Sequence, residues 1–117
     1  MTFNELVQSA YANAKEKGFY DNWNNQNIGC LLMQIVSELS EAMEAHRQGK
    51  YMSFVSLPPN FTLPKMDEIK DTFEVEIADA FIRLASLCGY LNIDIEKFIN
   101  AKMEYNKLRE PLHGKKY

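Results

Sequence analysis

Apolar residues recur along this chain at the spacing of helices, three and four apart, and nowhere alternate as in a strand of useful length. Phe3, Leu6, Val7, Ala10, Tyr11 and Ala14 fall on one side of a helix predicted from Thr2 or Asn4 to Lys17. Thr2 and Glu5 have the spacing of a capping box at its start, and Gly18 follows as a stop signal. A polar, asparagine-rich loop, GFYDNWNNQN, comes next. A second helix is predicted from Ile28 to just before Gly49, with Ile35, Leu39, Ala42 and Met43 as its apolar stripe. A third starts near Met66 or Asp67, carries Phe73, Ile77, Ala80, Phe81, Leu84 and Leu87 on one face, and ends around CGYLN. Asp94 stands where it would cap a fourth helix bearing Ile95, Phe98, Ile99, Met103 and Leu108, which Pro111 ends.

Between the second and third helices, Pro58, Pro59 and Pro64 prevent any long helix. An irregular segment of that length, about residues 49–65, is more often functional or mobile in a small domain than merely connecting. No internal repeat at a fixed period is present. The expectation is a single all-α domain over residues 1–117 with a four-helix, bundle-like core. The pattern does not guarantee that one chain buries all its apolar stripes, which leaves room for an oligomer.

Composition adds mainly exclusions. With 117 residues, 46% hydrophobic and 25% charged, the chain has the balance of a globular domain large enough for a real core. Its net charge of −3 gives no broad basic footprint for a nucleic acid polymer, the few clustered bases being Lys115 and Lys116. No apolar run approaches the roughly 20 residues needed to cross a bilayer. The N-terminus MTFNELVQ lacks a basic region followed by an apolar block, so a cytoplasmic location is expected. Cys30 and Cys88 each fall in a predicted helix beside apolar neighbours, the usual setting of a free, buried thiol, and neither belongs to a Cys/His cluster of zinc-binding spacing.

The acids change the picture. Glu38 and Glu41 on the second helix, and Glu76 and Asp79 on the third, are each three residues apart and flank an apolar stripe. Positions i and i+3 lie within about 60° on a helix, so each helix can aim two carboxylates into one space. Four carboxylates in a partly dry pocket repel one another unless protonated or neutralised. A hard divalent cation, Mg²⁺ or Mn²⁺, resolves this through oxygen ligands. The competing reading is two ordinary solvated helix faces, with Arg83, one turn beyond Asp79, pairing an acid. Other metal chemistries find little support: the lone Glu-x-x-His, Glu110 to His113, is interrupted by Pro111, and no adjacent His-Asp pair occurs. Neither a Ser-His-Asp motif nor a glycine-rich phosphate loop is present.

At these residues the sequence resembles the MazG-like, all-α nucleoside triphosphate pyrophosphohydrolases. Their signature of E-x-x-E on one helix and E-x-x-D on the next is matched by ELSE, Glu38 to Glu41, and EIAD, Glu76 to Asp79. The words IVSELSEAMEAHRQGK, EIADAFIRLASLCGYLNID and KMEYNKLREPLHGKKY are similar too, from about Ala14 onward. The stretch between the two motifs is longer than is common in that family, the excess falling in the proline-containing segment. Phe73 stands where a lysine is frequent, with Lys70 one turn earlier.

The resemblance implies Mg²⁺-dependent hydrolysis of (deoxy)nucleoside triphosphates to the monophosphate and pyrophosphate, a house-cleaning activity on the nucleotide pool. It implies a homo-dimer or homo-tetramer whose site involves neighbouring subunits, and Glu38, Glu41, Glu76 and Asp79 as catalytic metal ligands. One of the four, Glu41 for preference, would take the proton of the attacking water. By the same resemblance the face carrying Lys102, Tyr105, Asn106 and Arg109 meets phosphate and sugar, where the alternative is the solvated basic end of an amphipathic helix. Trp23, Gln26 and Asn27, just before the second helix, are candidates for base recognition; Trp23 is equally a candidate core anchor. Two rival functions stay open: a non-catalytic helical interaction module on the same scaffold, and a hydrolase of another pyrophosphate-containing compound.

Overall fold

The computed structural model describes residues 1–21, 27–52 and 59–116, and all regular structure among them is helical. Helix α1 spans Phe3–Glu16 and begins with the capping box that its sequence predicts. Thr2 Oγ1 accepts from the Glu5 amide at 3.1 Å while Glu5 Oε1 accepts from the Thr2 amide at 3.4 Å. Helix α2 spans Ile28–Arg47. Both helices run out into a glycine with positive φ, +85° at Gly18 and +70° at Gly49, a conformation that costs residues with a Cβ.

The third predicted helix is divided. A 3₁₀ turn, Leu63–Lys65, leads into a single turn, α3, Met66–Ile69, and the long helix α4 runs only from Phe73 to Tyr90. The break lies at Thr72, whose backbone is extended (ψ 156°) and whose hydroxyl donates to the Ile69 carbonyl at 2.7 Å, competing with continuation of the helix. Helix α5 covers Ile95–Lys107 with Asp94 at its cap position, though the Asp94 side chain pairs with Lys97 instead of bonding the helix backbone. A last 3₁₀ turn follows at Pro111–Gly114.

Helix α4 is the hub, against which both α1 and α2 pack. Toward α1 the contact is made by small groups, with Val7 and Ala10 meeting Ala85 and Cys88. Along α2 the residues directed inward are Leu31, Ile35, Glu38, Ala42 and Ala45, spaced 4-3-4-3 as a continuous helix–helix seam requires. The matching line on α4 is Glu76, Ala80, Arg83 and Leu87. This shifts the expected stripes by one edge. Leu39 and Met43 are about half exposed, and Phe81 is 62% exposed, because Glu38, Glu76 and the alanines take the inward positions. Cys30, one position off the seam, is exposed rather than buried; Cys88 is buried and free.

The intrachain core therefore consists of α1, α2 and α4, not of four helices. Ile95 at the start of α5 packs on that core, but no residue of α5 is buried, and Phe98, Met103 and Leu108 are exposed. Among the described residues no helix is long and apolar enough to cross a membrane.

A clasp joins the end of α2 to the start of α4. The Lys50 carbonyl accepts from the Phe73 amide at 2.8 Å, Lys50 Nζ meets Asp71 at 2.9 Å, and Glu74 accepts from the Met52 amide at 2.9 Å. His46, Tyr51 and Phe73 gather their rings beside it. These bonds set the register in which Glu76 faces α2.

Candidate metal centre

The seam between α2 and α4 carries its acids on facing positions. Glu38, Glu76 and Asp79 each present a carboxylate oxygen, and the three oxygens lie within 4.8 Å of one another. Oxygens sharing one Mg²⁺ at about 2.1 Å stand about 3 Å apart when adjacent and about 4.2 Å when opposite, so small side-chain rotations would bring these three onto one ion. Glu41 lies on the exposed side of α2, outside that triplet, yet close enough for its charge to act on Glu38, Glu76 and Asp79.

Glu76 is the least comfortable group. It is 9% exposed, and its Oε2 has no hydrogen-bond partner among the described residues. Burial raises its pKa from an ordinary 4.5 to about 7, and the carboxylates of Glu41, Asp79 and Glu38 push in the same direction. Burial also raises Glu38 and Asp79, in both cases against the pull of the Arg83 guanidinium. A buried carboxylate with one orphaned oxygen among three other acids is a donor set of hard oxygens short of positive charge, which fits a divalent cation.

One cation is already at hand. Arg83 Nε donates to Glu38 Oε1 at 2.6 Å and Nη1 donates to Gln34 Oε1 at 3.3 Å. The ordinary ion pair expected as the alternative to metal binding thus exists, but it satisfies Glu38 and brings no positive charge to Glu76, whose side-chain partner is another acid, Glu41.

Beside the acids opens a cavity of about 260 Å³, close to the lower end of small-molecule sites. Leu31, Ile35, Ile82 and Leu87 form its apolar wall, and α1 contributes Asn13. Tyr20 and Ser86 meet at its side through a 2.6 Å hydroxyl–hydroxyl bond, with the Tyr20 ring stacked on Tyr90 at 4.4 Å. Burial raises the Tyr20 pKa, keeping the phenol neutral. Glu38, Asp79 and Arg83 stand at the border of cavity and acid cluster.

The remaining candidates divide. Lys102 Nζ and Arg109 Cζ lie 4.5 and 5.4 Å from the centre of the Tyr105 ring, so these residues do form one basic, aromatic face on and just beyond α5. Asn106 has a buried Oδ1 without a hydrogen-bond partner. Within one chain, however, α5 supplies nothing to the acid triplet or the cavity wall among the described residues. Lys70 lies before the break at Thr72, outside α4. Asn27 stands at the cap position of α2, and Trp23 and Gln26 lie outside the described residues. Gln34 and Ser86 were not foreseen, although Gln34 is four residues before Glu38 and Ser86 three after Arg83, both on the site-facing side of their helices.

Fold and site thus define an all-α chain with an interhelical carboxylate cluster beside a small cavity. No family model, curated protein or solved structure matches this chain.

Proposed function

We propose that the chain is a Mg²⁺-dependent nucleoside triphosphate pyrophosphohydrolase of the MazG-like type, releasing monophosphate and pyrophosphate from (deoxy)nucleoside triphosphates in nucleotide-pool house-cleaning. The observation that supports it most is Glu76, a buried carboxylate with an orphaned oxygen, facing acids from a second helix at the border of a cavity. Glu38, Glu76 and Asp79 would hold the cation, with Glu41 completing the set. Bound there, Mg²⁺ or Mn²⁺ would neutralise polyphosphate charge and lower the pKa of a nearby water. The oxygen of the attacking water bonds to phosphorus as the anhydride bridge to the leaving pyrophosphate breaks. Its proton would pass to a carboxylate, for which we favour Glu41, the most exposed of the four.

The basic face of Lys102, Asn106 and Arg109 would serve this chemistry from a neighbouring subunit, because α5 stands off its own site. Apolar residues left outward on α2, α4 and α5 (Leu39, Met43, Phe81 and Phe98 among them) supply a surface for such a homo-dimer or homo-tetramer. The same outward residues favour the second reading, a helical interaction module without catalysis. Incubating the pure protein with a panel of NTPs and dNTPs plus Mg²⁺ separates the two. The enzyme yields monophosphate and pyrophosphate, and Glu38→Gln or Asp79→Asn abolishes both. No product across the panel, together with no stabilisation by divalent cations, would refute the enzyme reading and favour the interaction module.

A further inference from the structure

We propose that Arg83 and a divalent cation compete for Glu38, and that a cation, on taking Glu38, releases the guanidinium toward the adjoining cavity to meet the anionic part of the ligand. The inference rests on the metal reading above and adds a residue to it. Arg83 lies on the seam of α4, four residues after Asp79 and seven after Glu76, so it faces the same space as both. Its hold on Glu38 is a single Nε–H to Oε1 bond, not the two-point fork that makes arginine–carboxylate pairs strong. A second N–H goes to Gln34. These two bonds engage two of the five N–H donors a guanidinium carries.

The surroundings give the released side chain somewhere to go. Arg83 lines the cavity, is about one-third exposed, and its Cζ lies 5.8 Å from the Phe19 ring centre on the same wall. Among the described residues it is the one cationic side chain of that wall. Glu38 needs one positive partner. A doubly charged ion on Glu38, Glu76 and Asp79 repels the guanidinium and removes its reason to stay. An arginine turned to the cavity at that moment couples metal binding to capture of an anionic ligand.

The opposite possibility is that Arg83 stays on Glu38 and merely orients it, and the two differ in sign. Calorimetric titration of the wild type, Arg83→Gln and Gln34→Ala with Mn²⁺ alone reads the competition directly, with circular dichroism checking the fold. Removing the competitor is expected to tighten Mn²⁺ binding about fivefold in Arg83→Gln. A smaller gain in the same direction is expected in Gln34→Ala, which loosens the arginine without touching an acid. At saturating Mn²⁺, the KM for a triphosphate should then rise about tenfold in Arg83→Gln with kcat changed little.

Weaker Mn²⁺ binding in both variants would overturn the competition and make Arg83 a positioning residue. An unchanged KM would overturn the release into the cavity. A wild type that binds Mn²⁺ but turns over no nucleotide would refute the proposed hydrolysis while leaving the competition measurable. A wild type and variants that all ignore Mn²⁺ would remove both.

Discussion

With divalent cations chelated, Glu76→Gln is expected to stabilise the protein by about 3 kcal/mol at pH 8 and by less than about 1 kcal/mol at pH 5. The carboxyl is 9% exposed and its pKa is raised from 4.5 to about 7, first by burial and then by Glu41, Asp79 and Glu38. A raised pKa means that the folded chain holds the proton more tightly than the unfolded one. The stability linked to that proton is therefore complete below about pH 4.5 and lost as the pH rises through about 7. The span corresponds to about 3 kcal/mol, on the order of 10 °C in Tm for a domain of this size. Glutamine keeps the shape and stays neutral, so the variant should not show that part of the slope. Glu38 and Asp79 are raised as well and add a slope that both proteins share. Thermal denaturation in EDTA from pH 5 to 8 should show the Tm difference growing with pH in favour of the variant. Mn²⁺ at about 1,000 times Kd should reverse the order at pH 8, since such binding contributes about 4.1 kcal/mol to the wild type alone, more than the variant gains from losing the charge. A variant less stable than wild type by the same amount at every pH in EDTA would refute the account of Glu76 as an uncompensated charge.

Gly89→Ala should lower stability by about 1–3 kcal/mol despite alanine's better helix propensity, measured by urea denaturation. Its Cβ would fall 2.5 Å from the Tyr11 Cβ and 3.2 Å from the Val7 carbonyl oxygen, forcing α1 away from α4. Tyr20→Phe removes the 2.6 Å bond to Ser86 and should cost about 1 kcal/mol while the stacking on Tyr90 persists, seen as a small fall in Tm. Sedimentation should give a mass of two or four chains, and Leu39→Glu with Phe81→Glu should give monomers of unchanged helical circular dichroism; a wild-type monomer at micromolar concentration would defeat that expectation.

What could be read from the sequence was local. The capping box at Thr2 and Glu5, the stop at Gly18 and the extents of α1 and α2 are decided by neighbours within a few residues, and the structure agrees with them. The break at Thr72 was harder, because the apolar spacing of Phe73 to Leu87 does not register a hydroxyl bonding back to Ile69. The phase of the seam was harder still. Both edges of the α2 stripe are apolar, and hydrophobicity alone favours Leu39 and Met43 over Glu38 for the inward side. Close approach of α2 and α4 instead selects alanines at 42, 45 and 80 and carries the acids in with them. The convergence of Glu38, Glu76 and Asp79 follows from that phase, whereas contacts between distant positions, such as Tyr20 with Ser86, leave no periodic trace.

The clasp at Lys50, Met52, Asp71 and Phe73 has a practical corollary. It closes the chain on itself at the same end of the two helices, so the alignment of the acids does not depend on the length of what lies between residues 52 and 71. Lengthening a flexible connection costs little, about 0.6 kcal/mol for each doubling. A module grafted at the exposed turn of Pro59 and Asn60 would accordingly leave the clasp bonds, and the helical seam they close, in place.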